Sequence, residues 1–130
     1  MKEPAWILRE TVLALHEQLI AEFGGSLGIR DDGLLDSALN RPQNVFAYGQ
    51  SALSKLAASY AFGLAKNHAF VDGNKRIAFA VTVLFLEING RSFMAGEVDA
   101  TIQMLALAAG EKSETEFAEW LEAQTGQTES

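Results

Sequence analysis

His68-Ala69-Phe70-Val71-Asp72-Gly73-Asn74-Lys75-Arg76, followed at once by the apolar run 77–88, is the stretch on which the reading turns. The run is apolar nearly all round (Ile77, Phe79, Val81, Val83, Leu84, Phe85, Leu86), which predicts a helix buried at the centre of the fold. Asn89-Gly90 is its stop signal. A dense set of polar groups therefore sits at the amino end of a core helix, where backbone N–H groups favour an anion.

Working outward, Leu8, Val12, Leu15, Leu19 and Phe23 recur at helical spacing and predict a helix over 6–23, ended by Gly24-Gly25. His16 on that helix reads as a helix-face residue. Asp31 or Asp32 caps a short second helix through Leu34, Leu35, Ala38 and Leu39, stopped by Pro42. Residues 41–50 read as irregular or weakly extended, with room for a short β-hairpin flap. Leu53, Leu56, Tyr60 and Leu64 share one side of a third helix running to about Asn67. Val98, Ile102, Leu105 and Ala109 set the expected core face of a helix over 97–109. Ser113 and Glu116 make a capping-box pattern opening the last helix, which buries Phe117, Trp120 and Leu121. From Gln124 onward the chain is polar and expected to fray. The fold class is all-α, one helical bundle around a central buried helix, with a domain over 1–123 and a flexible tail over 124–130.

A chain of 130 residues can bury one sizeable core. It has no cysteine, which removes disulfides, zinc–thiolate sites and cysteine nucleophiles, and suits a reducing compartment. The start, Met1-Lys2-Glu3-Pro4, lacks the form of a secretory signal, so the expected location is the cytoplasm. The longest apolar run is too short to span a bilayer, so no membrane partner is expected. A formal charge of −7 argues against direct nucleic-acid binding, which needs a basic footprint.

Each residue of the central stretch has an ordinary reading: a packing histidine, an Asp-Gly turn, solvated cations. Together they form a coherent kit. His68 is the side chain suited to accept a proton from a hydroxyl near neutral pH. Asp72 can supply the one carboxylate that Mg²⁺ usually takes beside phosphate oxygens and water. Gly73 permits close backbone approach, Asn74 can bond to loop or phosphate, and Lys75 and Arg76 bring positive charge. Phe70 pins the loop to the core. Phosphoryl-type transfer is mainly positioning plus electrostatics, so so small a kit suffices.

The order His68-x-Phe70-x-Asp72-Gly73-Asn74-Lys75-Arg76 resembles the signature of the Fic/Doc family, His-x-Phe-x-(Asp/Glu)-Gly-Asn-Gly-Arg-x-x-Arg, and is most similar to its short death-on-curing branch. Phe23-Gly24-Gly25, Gly28-Ile29-Arg30-Asp31, Leu34 to Leu39 and Arg41-Pro42-Gln43 look like that branch too, so the resemblance covers the chain to about residue 121. It implies that His68 activates a target hydroxyl, that Asp72 holds Mg²⁺, and that Gly73, Asn74, Lys75 and Arg76 bind the phosphates of ATP. It also implies a flap near Arg41, Pro42, Gln43 and Asn44 that docks the target chain. An ordinary surface loop is the alternative there.

Two positions depart from the wider family: Lys75 stands at its second glycine and Phe79 at its final arginine. Both changes belong to the death-on-curing branch. The resemblance therefore implies a kinase-like toxin moving the γ-phosphate of ATP to a Thr of elongation factor Tu, and so arresting translation. Transfer of AMP to a protein hydroxyl, and a non-catalytic antitoxin-binding scaffold, remain as alternatives. The family's inhibitory pattern (Ser/Thr)-x-x-x-Glu-(Gly/Asn) has no match, since Thr115 to Glu119 is followed by Trp120. That implies inhibition in trans by a cognate, Phd-like antitoxin lying in an apolar groove. Trp6 and Phe93 are candidates to line it, though both read first as core packing.

Overall fold

The helices and strands follow in the order α1 (Arg9–Phe23), α2 (Asp32–Ala47), α3 (Leu53–Asn67), α4 (Asn74–Ile88), β1 (Arg91–Phe93), α5 (Glu97–Ala109), α6 (Glu114–Ala123) and β2 (Thr125–Gln127). This is a computed structural model, and it describes residues 2–127. No helix among the described residues is long and apolar enough to cross a membrane.

The most completely buried helix is α3, not α4. Leu56, Ala57, Ala58, Ser59, Tyr60 and Ala61 are all closed off from solvent, and α3 packs on α2, α4, α5 and α6. Small residues make this close packing workable. A Cβ on Gly63 would lie 3.2 Å from the Ala38 Cα of α2, so glycine sets the separation of the two helices. Beside it, α4 buries Ile77, Ala78, Val81, Phe85 and Leu86, while Phe79, Ala80 and Val83 face a cleft. Its all-round apolar composition thus serves two surfaces.

Before α1, residues 2–8 are not helical, and neighbours hold their backbone. The Tyr60 hydroxyl accepts from the Ile7 N–H at 3.0 Å, and the Asn89 amide pairs with both the N–H and C=O of Ala5. Trp6 stacks on Phe85 with ring centroids 5.8 Å apart, so it is a core residue. Burial pushes the Tyr60 phenol above its ordinary pKa, with the Ile7 N–H pulling the other way. A phenol raised in the folded state stabilises the fold fully below its unfolded pKa, and that contribution fades as pH climbs. Unfolding free energy is therefore expected to fall as pH rises above about 10. Tyr60→Phe should cost about 1–3 kcal/mol by stranding the Ile7 N–H, and should flatten that alkaline fall; denaturant melts across pH test both.

Helix α2 corrects the expectation for 41–50. It passes through Pro42 and ends at Ala47, so Arg41, Pro42, Gln43 and Asn44 are helical and form no β-hairpin. Pro42 is buried in line with Leu35, Ala38 and Leu39, and Val45 and Phe46 carry that stripe onward. Burial of the continued face outweighs the local bias before a proline. Arg41 is committed to the fold as well. It makes a fork on the Glu114 carboxylate at 2.7 Å for each bond, donates to the Ser59 hydroxyl, and lies over the Phe62 ring.

The β-structure lies elsewhere: Arg91↔Gln127, Ser92↔Gly126 and Phe93↔Thr125 pair antiparallel, so the expected tail is a strand at 125–127. The tail's remainder, 128–130, lies outside the described residues. Helix α5 spans the expected 97–109 but turns the other way. It buries Ala100, Met104 and Leu107, leaving Val98, Ile102 and Leu105 exposed. With apolar residues on several sides, its period fits more than one face. The Ser113–Glu116 capping box opens α6 as expected, and the Ser113 N–H holds the Glu116 carboxyl below its ordinary pKa.

Candidate active site

The loop 68–73 joins the two most buried helices, α3 and α4. His68 ends α3 in a left-handed conformation, φ 50°, the only non-glycine with positive φ among the described residues. Such a conformation costs an ordinary side chain about 1–2 kcal/mol, so neighbours must impose it. Arg30 does so: its Nε donates to the His68 carbonyl at 2.6 Å and its Nη2 to the Asn67 carbonyl at 3.0 Å. The turn leaves the imidazole exposed at the rim of a cleft.

The next residues are stitched to the segment between α1 and α2. Ala69 O accepts from the N–H groups of Arg30 and Asp31, and the Val71 N–H donates to Gly28 O. Phe70 is buried. Asn74 is placed by the core. Its Oδ1 accepts from the Phe70 N–H and its Nδ2 donates to the Phe70 carbonyl, both at 3.0 Å. The side chain is thus spent on the loop, and what Asn74 offers an anion is its backbone N–H. Gly73, at φ 77°, is the N-cap of α4, so the N–H groups of Asn74, Lys75 and Arg76 lie in the helix's first turn without intrahelical partners. Positive ends of dipole and side chain coincide there.

Asp72 is exposed, and its Oδ2 accepts from the Ser26 N–H at 2.7 Å. The second carboxylate oxygen makes no hydrogen bond among the described residues. No cluster of three or more His, Asp or Glu suited to a metal occurs among those residues. A divalent cation at Asp72 would find a single protein carboxylate there and would need its other ligands from outside the protein.

His68, Asp72, Gly73, Asn74, Lys75 and Arg76 all line one cleft of about 870 Å³. The rest of its lining is mostly apolar, with Phe79, Val83, Phe93, Met104 and Leu105 beside Glu97 and Thr101. Phe79 meets Phe93 edge-on at 5.5 Å, so the position of the family's last arginine is a hydrocarbon wall. The Arg76 guanidinium lies 4.3 Å from the centroid of the half-exposed Phe23 ring, which orients it at the cleft. The 41–44 segment does not line this cleft.

Three contributors were missed by sequence reasoning: Arg30, the Gly25-Ser26 turn and His16. The last was legible in principle, since it falls four residues after buried Val12 and four before buried Ile20. Gly25 is needed for the approach to Asp72. A Cβ there would sit 3.2 Å from the Asp72 Cβ, and its φ is 112°. Gly25→Ala is expected to lower turnover about 10- to 100-fold by shifting the carboxylate. Gly24→Ala is the control, because a Cβ at Gly24 meets nothing within 4 Å while φ is also positive. Steady-state kinetics on the pair separates the contact from the backbone penalty.

An all-α domain whose histidine-led loop delivers a carboxylate and two cations to the start of a buried helix is the class that fold and site define. A family model described as Fic/DOC family matches residues 6–86, and the chain belongs to that family. It is similar to Toxin Doc of Mycolicibacterium smegmatis, 54% identical over 71 residues, covering 52% of this chain and 54% of that protein. It is also similar to Protein kinase doc of Escherichia phage P1, 34% identical over 123 residues, covering 92% of this chain and 95% of that protein.

Proposed function

We propose that this chain is the toxin of a toxin–antitoxin module and transfers the γ-phosphate of ATP to a hydroxyl of a translation factor, with a Thr of elongation factor Tu as the expected acceptor. The observation that carries the reading is the convergence of His68, Asp72, Lys75, Arg76 and the amino end of α4 on one cleft. The names of the two relatives, a toxin and a protein kinase, support it.

In this reading His68 accepts the proton of the acceptor hydroxyl as its oxygen attacks the γ-phosphorus. The bond from that phosphorus to the bridging oxygen breaks, and ADP leaves. Lys75, Arg76 and the first-turn N–H groups of α4 neutralise the phosphates. Asp72 would hold Mg²⁺, which would supply charge stabilisation to the phosphates. Lys75 fills space where a glycine would admit an α-phosphate to the backbone, and Phe79 offers an anion nothing. Both favour transfer from the γ end. Transfer of AMP is the second reading, favoured by Gly73, which is the residue the wider family carries at this position.

The mostly apolar lining of the cleft suits an amphipathic segment of a cognate, Phd-like antitoxin, which would inhibit in trans by lying across the site. Translation is cytoplasmic, and so is the proposed place of action. The test is incubation of a bacterial lysate with the protein and ATP labelled on either the γ- or the α-phosphate. Label from the γ position on a translation factor is expected; label from the α position would replace this reading with AMP transfer, and label from neither would leave a non-catalytic scaffold.

A further inference from the structure

We propose that His16 is a positioning residue of this site, fixing the aim of Asp72 without touching substrate; the inference rests on the reading of Asp72 as the metal-holding carboxylate. His16 projects from the buried face of α1 and is 3% exposed. Its Nε2 lies 2.7 Å from the backbone carbonyl oxygen of Asp72. A carbonyl only accepts, so Nε2 carries the proton and donates. The ring lies flat on Phe70, centroids 3.8 Å apart and planes 15° from parallel.

Asp72 is thus gripped twice. His16 fixes its peptide, and the Ser26 N–H fixes Oδ2 at 2.7 Å. Both grips come from α1 and the turn that leaves it. Ile20, one helical turn beyond His16, completes the floor, since a Cβ on Gly73 would meet its Cδ1 at 3.3 Å. Packing alone would place an aliphatic residue at a buried position between Val12 and Ile20. A hydrogen-bond donor there serves the part-buried carbonyl it meets. The arrangement constrains the two torsions flanking the Asp72–Gly73 peptide, and with them the direction of the carboxylate.

The test compares His16→Leu, which keeps bulk and loses the donor, with His16→Gln, whose amide N–H reaches about as far as Nε2. Binding of a non-hydrolysable ATP analogue is measured by calorimetry with and without Mg²⁺, together with hydrogen exchange of the Phe70 and Val71 amides. His16→Leu is expected to weaken the Mg²⁺-dependent binding about 10-fold or more, as loss of a group supporting a metal ligand does, while metal-free binding stays unchanged. His16→Gln restores most of it. The two amides exchange faster in the Leu variant and recover in the Gln variant. Equal losses with and without Mg²⁺, no rescue by Gln, or unchanged exchange in the Leu variant would each overturn the proposal. If the unmodified protein shows no Mg²⁺-dependent binding, the functional reading fails, and amide exchange alone decides whether His16 positions the loop.

Discussion

Alanine in place of His68 is expected to slow transfer about 10²- to 10⁴-fold, the range a positioned general base contributes. The imidazole is exposed, and the unusual backbone at this position is held by Arg30 through carbonyl groups that alanine retains. The variant should therefore melt within a few degrees of the parent. On the proposed reading it should bind Mg²⁺ and nucleotide, because Asp72, Lys75, Arg76 and the start of α4 are untouched. Single-turnover rates with matched thermal melts check this. A full-rate alanine variant would remove His68 from the chemistry.

The second large effect is one of stability. Asn74→Ala strands both the N–H and the C=O of Phe70, two buried backbone groups whose partner is the Asn74 amide. Each unpaired buried group costs about 1–3 kcal/mol, so the variant should lose roughly 2–5 kcal/mol in denaturant melts. Activity should collapse with it, since the same bonds set the loop between Phe70 and α4. Asn74→Asp keeps the acceptor, loses the donor and should fall between the two. A loss below about 1 kcal/mol for Asn74→Ala would mean that the Phe70 peptide finds other partners.

The motif was legible because its chemistry is local: nine consecutive residues, the cap glycine and the apolar run beyond them. The helical period found the other helices for the same reason. Pro42 misled because a local stop signal was weighed without the burial of Val45 and Phe46 beyond it. The face of α5 was misread because apolar residues surround that helix, so only its neighbours choose between Val98–Ile102–Leu105 and Ala100–Met104–Leu107. β1 and β2 pair across more than thirty intervening positions, which short three-residue strands do not announce. The supports of the site lay beyond sequence reach for a further reason. Arg30 acts through its guanidinium on backbone carbonyls, Ser26 acts through its N–H, and His16 meets Asp72 from 56 positions away. Only the docking of α1 under the loop brings them together.

The most direct test of the central claim is peptide mass spectrometry of bacterial translation factors after incubation with the protein, Mg²⁺ and ATP, with the His68→Ala variant alongside. A phosphate on a Thr hydroxyl, present with the parent protein and absent with the variant, is the predicted result. An AMP adduct, or phosphate deposited equally by the His68→Ala variant, would contradict it.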